Sequence, residues 1–307
     1  MNDLERLAQN KSFVPGTRLQ FVWDSVSLGL FKECPWKYYL TLIQGWEKKR
    51  TPPPLSFGIL FHSAMEHWHK LLAEGTPPAE ALELVVHCAA IRGSYLIEEG
   101  DPTRNWQSLV RAIIWYVDQF KNDNAQTILL ANGKPAVELS FVFEFIEIDG
   151  VKFYLAGHMD RLVKIGTEFR FADYKTTKSA LDERFFSGFS PDNQINLYTL
   201  ASRIVFETEA VGGIIDGVQL GVNFNRFKRG FVDRSPSQIE EWVEDTTFWL
   251  HLAKRCADTQ QWPMNDKSCS NYGGCAFRRV CSKIPDIREN FLMVNFKRRI
   301  WDPLQPR

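Results

Sequence analysis

The stretch "VELSFVFEFIEIDGVKFYLAGHMDRLVKIGTEFRFADYKTT", Val137 to Thr177, restricts the fold of this chain more than any other. It is dense in β-branched and aromatic residues, which favour strands. Asp149-Gly150 is a two-residue hairpin signal, and a second turn falls near Gly166-Thr167. Three or four consecutive strands are expected, the last ending at Asp173 to Lys175. Alternate residues of a strand share a face. Phe169, Phe171, Asp173 and Lys175 therefore lie on one side, and Arg170, Ala172 and Tyr174 on the other. A face that begins as apolar core finishes with a carboxylate and an ammonium.

Helical patterns flank these strands. "TPPPLS", Thr51 to Ser56, is the sharpest break. It is expected to separate an early helical hairpin from the next helix, and it is too short for an interdomain linker. Phe57 to Glu74 reads as an amphipathic helix ended by Gly75 and Pro77. Further helices are expected near residues 78–97 and 105–120. Beyond the strands, "SPDNQINLYTLASRIVFE" predicts a helix from about Ser190, with Pro191 in its first turn. "GIIDGVQLGVNFNR" and "GFVDR" predict later strands. "SPSQIEEWVEDTTFWLHLAKRCAD" predicts a long helix, with Ser237 and Glu240 at capping-box spacing. This order predicts an α/β fold in which a mixed central sheet is flanked by helices. Residues 1–307 are expected to form one domain: a helical part at about 15–130, a sheet core at about 136–235, and a C-terminal helix with a cysteine-rich segment at about 236–307.

Net charge is zero, from 37 basic and 37 acidic residues, which argues against a surface coated in positive charge. A local basic groove is still allowed, because a site responds to its own surroundings. The clusters Arg226/Lys228/Arg229, Arg278/Arg279 and Lys297/Arg298/Arg299 are expected to be solvated surface. No apolar run is long enough to span a membrane. The start, "MNDLERLAQNKSF", lacks the basic and apolar regions of a signal peptide. A cytoplasmic location is the resulting expectation. Six cysteines in such a chain point away from a disulfide framework.

The charged strand end has a counterpart. "GHMDRL" puts Asp160 on the preceding strand. An isolated Asp173–Lys175 pair would be a surface salt bridge worth about 0–1 kcal/mol. Two carboxylates on adjacent strands, however, repel unless positive charge sits between them. Hard oxygen donors suit Mg²⁺ or Mn²⁺. A carboxylate pair with a nearby lysine is also what phosphodiester cleavage requires: the cation activates water and polarises phosphate, and the lysine orients the water or stabilises charge.

"AGHMDRLVKIGTEFRFADYKTT" resembles the core of the PD-(D/E)XK nucleases, in particular the RecB-type exonuclease branch. Asp160 matches the first acid, Asp173 the second and Lys175 the lysine. "GILFHSAME" resembles the upstream Gly-x-x-x-His helix of that branch at Gly58 to His62, which makes His62 a metal ligand. Glu66 and His69 share that helix face at i+4 and i+7 and leave a zinc alternative open. "QINLY" matches a Gln-x-x-x-Tyr motif at Gln194 and Tyr198, thought to arrange the site and engage DNA. Glu138 stands where related proteins often carry an acid near the active site. The Tyr174 carbonyl is implied as a further ligand. The resemblance implies a restriction-endonuclease-like core and a metal-dependent DNA nuclease acting on single-stranded DNA or duplex ends. Recombination, repair, phage replication and CRISPR-type processing all employ such enzymes. The chain has no nucleoside-triphosphate P-loop of its own, so a helicase or recombination partner is conceivable. A catalytically silent nucleic-acid-binding subunit remains an alternative.

"CSNYGGCAFRRVC" holds Cys269, Cys275 and Cys281, and "FKECPWKYYL" supplies Cys34. Three cysteines in one short stretch read as soft ligands for Zn²⁺ or an iron–sulfur cluster. The set resembles the 4Fe-4S site of CRISPR-associated exonucleases, in which one N-terminal cysteine joins three C-terminal ones. That family usually separates its second and third cysteines by two residues; here five intervene. A structural Zn²⁺ site and free thiols are the alternatives, and a zinc-binding structural protein with no nuclease role is a further reading of the chain. Cys88 and Cys256 lie in expected helices, where buried free thiols are common, and carry no assigned role.

Overall fold

The computed structural model describes residues 2–50, 52–97 and 100–305. Its helices are α1 (Asp3–Leu7), α2 (Ser25–Glu33), α3 (Pro35–Tyr38), α4 (Pro53–Ala73), α5 (Pro78–Leu96), α6 (Trp106–Gln119), α7 (Glu183–Ser187), α8 (Asn193–Ile204), α9 (Pro236–Thr259), α10 (Arg278–Cys281) and α11 (Pro285–Asn295). Its strands are β1 (Val22–Trp23), β2 (Trp46–Lys48), β3 (Gln126–Thr127), β4 (Val137–Ile148), β5 (Val151–Ile165), β6 (Glu168–Thr177), β7 (Ala210–Leu220), β8 (Asn225–Asp233) and β9 (Phe296–Arg298). Seven strands form one mixed sheet in the order β1-β5-β6-β7-β8, with β3 and β4 also pairing β5. The β6–β7 pair is parallel and β5–β6 and β7–β8 are antiparallel. No helix among the described residues is long and apolar enough to cross a membrane.

The chain separates into two compact units. One comprises Met1–Arg50, Phe141–Gly157 and Pro236–Arg307, the other Thr51–Ser140 and His158–Ser235.

The hairpin between β4 and β5 falls in the first unit and the turn from β5 into β6 in the second, and the two turns set the register of consecutive strands. Asp149 and Gly150 both adopt left-handed backbone, φ 48° and 76°, as a two-residue hairpin turn demands. Helices α4, α5 and α6 pack beside this sheet through Phe61, Met65, Leu109, Ile113 and Tyr116, with Tyr174 and Val218 from the strands. Phe61, Tyr116 and Tyr174 meet edge to face at 5.6–5.9 Å, contacts each worth about 0.5–1.5 kcal/mol beyond burial. This wall fixes α4 against the end of β6.

Several boundaries differ from expectation, each for a local reason. "TPPPLS" opens α4 instead of preceding it, because Pro53 and Pro54 occupy the first turn, where a missing N–H has no intrahelical partner to lose. Helix α8 starts at Asn193 rather than near Ser190, since Asp192 Oδ1 caps it by accepting from Ile195 N. Helix α9 starts at Pro236, which puts Ser237 inside the helix. Helix α7 had no counterpart in the sequence reading. Arg229 is not solvated surface. Its guanidinium binds Asp216 and Asp123 at 2.7–3.0 Å, and Asp216 also accepts from Tyr116 Oη. Burial opposes the charge, but the two carboxylates hold Arg229 firmly protonated.

The first unit has its own apolar cluster of Leu40, Trp46, Phe277, Val280, Leu292 and Phe296. Strands β2 and β9 pair there, and Arg298 stacks over Trp46 at 3.8 Å. Lys297 and Arg299 pair with Glu47 at the surface, as expected of solvated charges. Cys256 is buried, whereas Cys88, in the second unit, is exposed on its helix.

Candidate metal centre

Three elements of the second unit deliver the candidate ligands: α4 brings His62, β5 brings Asp160 and β6 brings Asp173. One ligand atom from each lies within 4.8 Å of the others. Both carboxylates are deeply buried, at 7 % and 2 % exposure. Arg161 pairs with Ala172 in the β5–β6 ladder, so the residues one step on, Asp160 and Asp173, emerge side by side. The Tyr174 amide donates to Asp160 Oδ2 at 3.3 Å.

His62 joins two of these groups. Its Nε2 donates to the Tyr174 carbonyl at 2.7 Å, and its Nδ1 lies 2.8 Å from Asp160 Oδ2. Burial works against a charged ring, but Asp160 more than offsets it and the His62 pKa is raised. Burial is also the main reason the Asp173 pKa is raised; Lys175 opposes the shift and Asp160 reinforces it. The polypeptide thus supplies its own positive charge to two carboxylates that would otherwise repel.

Lys175 Nζ sits 2.6 Å from Asp173 Oδ2 and donates to Gln194 Oε1 at 2.7 Å. Gln194 Nε2 faces Asp173 Oδ1 at 3.5 Å and Tyr198 Oη at 3.1 Å. Tyr198 Oη donates in turn to the His158 carbonyl on β5. Phe171 packs edge-on against Tyr198 at 5.4 Å, so the apolar start of the β6 face seats α8 while its charged end faces the site. That resolves the odd alternation of the sequence.

The donors fit a divalent cation. The buried Nδ1 of His62 and Oδ2 of Asp173 have close ionic neighbours but make no hydrogen bond of acceptable geometry. Such orphaned atoms in a buried cluster of one nitrogen and two carboxylates are what Mg²⁺ or Mn²⁺ would satisfy.

Other expected residues stand elsewhere. Glu66 pairs with Lys70 at 2.5 Å on a partly exposed side of α4. His69 takes Tyr174 Oη at 2.9 Å and Arg161 Nη1 at 3.0 Å. Burial, then Arg161 and Arg229, push its pKa well below the usual value. The proposed zinc set of His62, Glu66 and His69 is therefore not assembled: the helix spacing holds, but each side chain has found a different neighbour. Glu138 follows the first residue of β4 in left-handed backbone, φ 51°. Arg161, one residue past Asp160, was missed by sequence reading; its role in fixing His69 depends on packing that spacing does not encode.

In the first unit Cys34 lies at the α2–α3 junction, Cys269 in a 3₁₀ turn (Asp266–Gly273) and Cys281 at the end of α10. All are free thiols. The Asn265 amide donates to Cys34 Sγ at 3.3 Å, and the Cys275 amide donates to the Cys269 carbonyl at 3.0 Å. Burial pushes the Cys281 thiol up, and the nearness of Cys275, Cys34 and Cys269 adds to it. The three other cysteines are thus near enough to affect Cys281, but among the described residues the four thiols are not gathered into a metal-ligand group as His62, Asp160 and Asp173 are.

A mixed sheet flanked by helices, with two acids and a lysine at the end of adjacent strands, defines a restriction-endonuclease-like core. A family model described as the PD-(D/E)XK nuclease superfamily matches residues 26–282, and the chain belongs to that superfamily. No curated protein matches the chain. Among solved structures, a candidate exonuclease from Eubacterium rectale is 13% identical over 86% of this chain and 94% of that one, with a TM-score of 0.44. The crystal structure of SSO0001 is 15% identical over 91% and 94%, with a TM-score of 0.34. Those scores leave the family match to carry the assignment.

Proposed function

We propose that this chain is a metal-dependent DNA exonuclease of the RecB-type branch, hydrolysing phosphodiester bonds at the ends of single-stranded or duplex DNA. The observation that carries the reading is the convergence of His62, Asp160 and Asp173 within 4.8 Å beside the Lys175 ammonium. In this reading His62, Asp160 and Asp173 hold Mg²⁺ or Mn²⁺. A bound cation lowers the pKa of water and polarises the scissile phosphate. Lys175 donates to the attacking water or to a phosphate oxygen as negative charge builds there. Gln194 anchors both Lys175 and Asp173, and Tyr198 ties Gln194 to β5. His62 Nε2 occupies the Tyr174 carbonyl, so that carbonyl becomes a ligand only if the ring releases it. Glu138 stays an accessory candidate.

Cys34, Cys269, Cys275 and Cys281 are proposed to hold a 4Fe-4S cluster, with structural Zn²⁺ as the alternative. The family match runs from residue 26 to residue 282 through both compact units, which supports one nuclease domain over the whole chain. A catalytically silent DNA-binding subunit would have no need of intact Asp160, Asp173 and Lys175.

The test is cleavage by purified protein of end-labelled linear and of circular DNA with Mn²⁺ or Mg²⁺. Release of terminal nucleotides from the linear substrate, with the circle intact, is expected. Failure to cut either substrate with either metal overturns the nuclease reading; cutting of the circle overturns the exonuclease part.

A further inference from the structure

Two strands away from Lys175 the sheet carries a second lysine on the same face. Lys175 pairs with Gly217, and Gly217 pairs with Lys228. Strands lie about 4.8 Å apart, so the two lysines are separated by about 10 Å across a floor with no side chain. Leu181 and helix α7, which follows it, fill the space that glycine leaves. A Cβ on Gly217 would come 2.7 Å from Leu181 Cδ2 and 3.2 Å from Phe185 Cε1. A Cβ on Gly230 would come 2.2 Å from Phe186 Cδ1. Phe185 meets Phe186 at 5.0 Å and Phe189 at 5.4 Å, both edge to face. Lys228 Nζ sits 5.6 Å above the Phe186 ring.

These rings are not sealed into a core. Phe185, Phe186 and Phe189 are each half-buried, and Lys228 is exposed. Partly exposed rings with an exposed ammonium over one of them, on the sheet face that also carries Lys175 of the proposed cleavage centre, match the chemistry of an unpaired nucleotide: a π-face for the base and a cation for its phosphate. We propose that the Phe185–Phe186–Phe189 cluster is a base-stacking subsite for single-stranded DNA, with Lys228 on a neighbouring phosphate. This deepens the nuclease reading and rests on it. The subsite does not read sequence, because every base has a π-face. It ties productive binding to an unpaired strand, since a base locked in a duplex cannot present its face to α7.

The test compares two oligonucleotides of equal length binding the full-length chain in EDTA, one with normal bases and one abasic throughout. The abasic strand is expected to bind roughly 5- to 150-fold more weakly. Phe186→Leu keeps an apolar side chain but removes the ring, and should shrink that ratio at least about threefold. With Mn²⁺ added, the same variant should raise KM on single-stranded DNA by a matching factor and leave kcat nearly unchanged. Equal binding of the two oligonucleotides by the wild type overturns the subsite and needs no variant. If Phe186→Leu melts early, Phe185→Leu replaces it. A wild type that cuts DNA without base preference in binding leaves the nuclease reading standing and removes the subsite; a wild type that neither binds nor cuts DNA removes both.

Discussion

The strand-end centre and the thiol group differ in how much of their geometry the polypeptide supplies by itself. His62, Asp160 and Asp173 come from a 21-residue helix and two long paired strands. Sheet register and the Phe61–Tyr116–Tyr174 wall place them, and His62 and Lys175 offset the carboxylate charge. The four cysteines come from a helix junction, a 3₁₀ turn, a loop and a four-residue helix. Elements that short do not hold their own conformation. Metal at the first centre would therefore add chemistry to a structure already made, whereas metal at the second would also have to hold the chain together.

Asp173→Ala breaks the comparison most directly. It should lower the cleavage rate by about 10³-fold or more, since it removes a proposed ligand and the acid that pairs with Lys175. Thermal stability of the metal-free protein should hold or rise slightly, because a buried carboxylate with a raised pKa is lost. Wild-type cleavage by this variant would remove Asp173 from the site.

Cys34→Ala should show the opposite pattern. A cluster joining Cys34 to Cys269 would close a loop that takes in every strand of the seven-stranded sheet except β1. Treated as a crosslink, that closure restricts the unfolded chain by roughly 5 kcal/mol, less whatever residual structure the unfolded state retains. The variant should melt well below wild type and lose the iron, sulfide and brown colour expected of protein purified without oxygen. Cys88→Ala, at an exposed position, should keep all of these. Iron-free, colourless wild type from iron-replete cells defeats the cluster; stoichiometric zinc in it would keep the topological argument with another metal.

Lys175→Ala separates chemistry from ligation within the first centre. The cleavage rate should fall by about 10²–10³-fold, while calorimetric Mn²⁺ affinity stays the same or tightens, because a competing positive charge has gone from Asp173. A large loss of Mn²⁺ affinity would make Lys175 a support of the ligand set.

How much of this was readable follows from the range of each interaction. The end of β6 was legible because strand alternation is local: Asp173 and Lys175 had to share a face with Phe171 whatever lay above. Asp160 was legible through the adjacent strand, whereas Gln194 and Tyr198 stood out only through the family resemblance, since a polar pair one helical turn apart is otherwise incidental. The fates of Glu66 and His69 were not, since identical spacing on α4 serves a ligand or a packed histidine equally well. Arg229 looked like one of three surface charges until β8 brought it to Asp216 and Asp123. Helix α7 was the least legible. Its phenylalanines are seated by Gly217 and Gly230, which are far from it in sequence, and five residues give too little periodicity to announce a helix.

The smallest effect concerns protons at the strand-end centre. The raised His62 pKa means that folding favours the protonated ring. Its contribution is full below the unfolded value near 6.5 and is lost as pH rises through the folded value. The raised Asp173 pKa has the same sign: folded protein holds that proton more tightly than the unfolded chain does, so ionising it costs stability as pH climbs from about 3.9 through the folded value. Metal binding needs both groups unprotonated. Mn²⁺ affinity should therefore rise with pH between 6 and 8, by at most about tenfold per pH unit for each proton displaced. Over the same range the metal-free protein should lose a little stability while the gap between its melting temperature and that of the Mn²⁺-loaded protein widens. Calorimetry in buffers of different ionisation enthalpy counts the protons released. His62→Ala should reduce the count and flatten the slope, and Glu66→Ala, whose side chain is engaged with Lys70, should leave both unchanged. A Mn²⁺ affinity that does not vary across this range would mean that His62 is already neutral in the folded protein, and that Lys175 alone balances the two carboxylates.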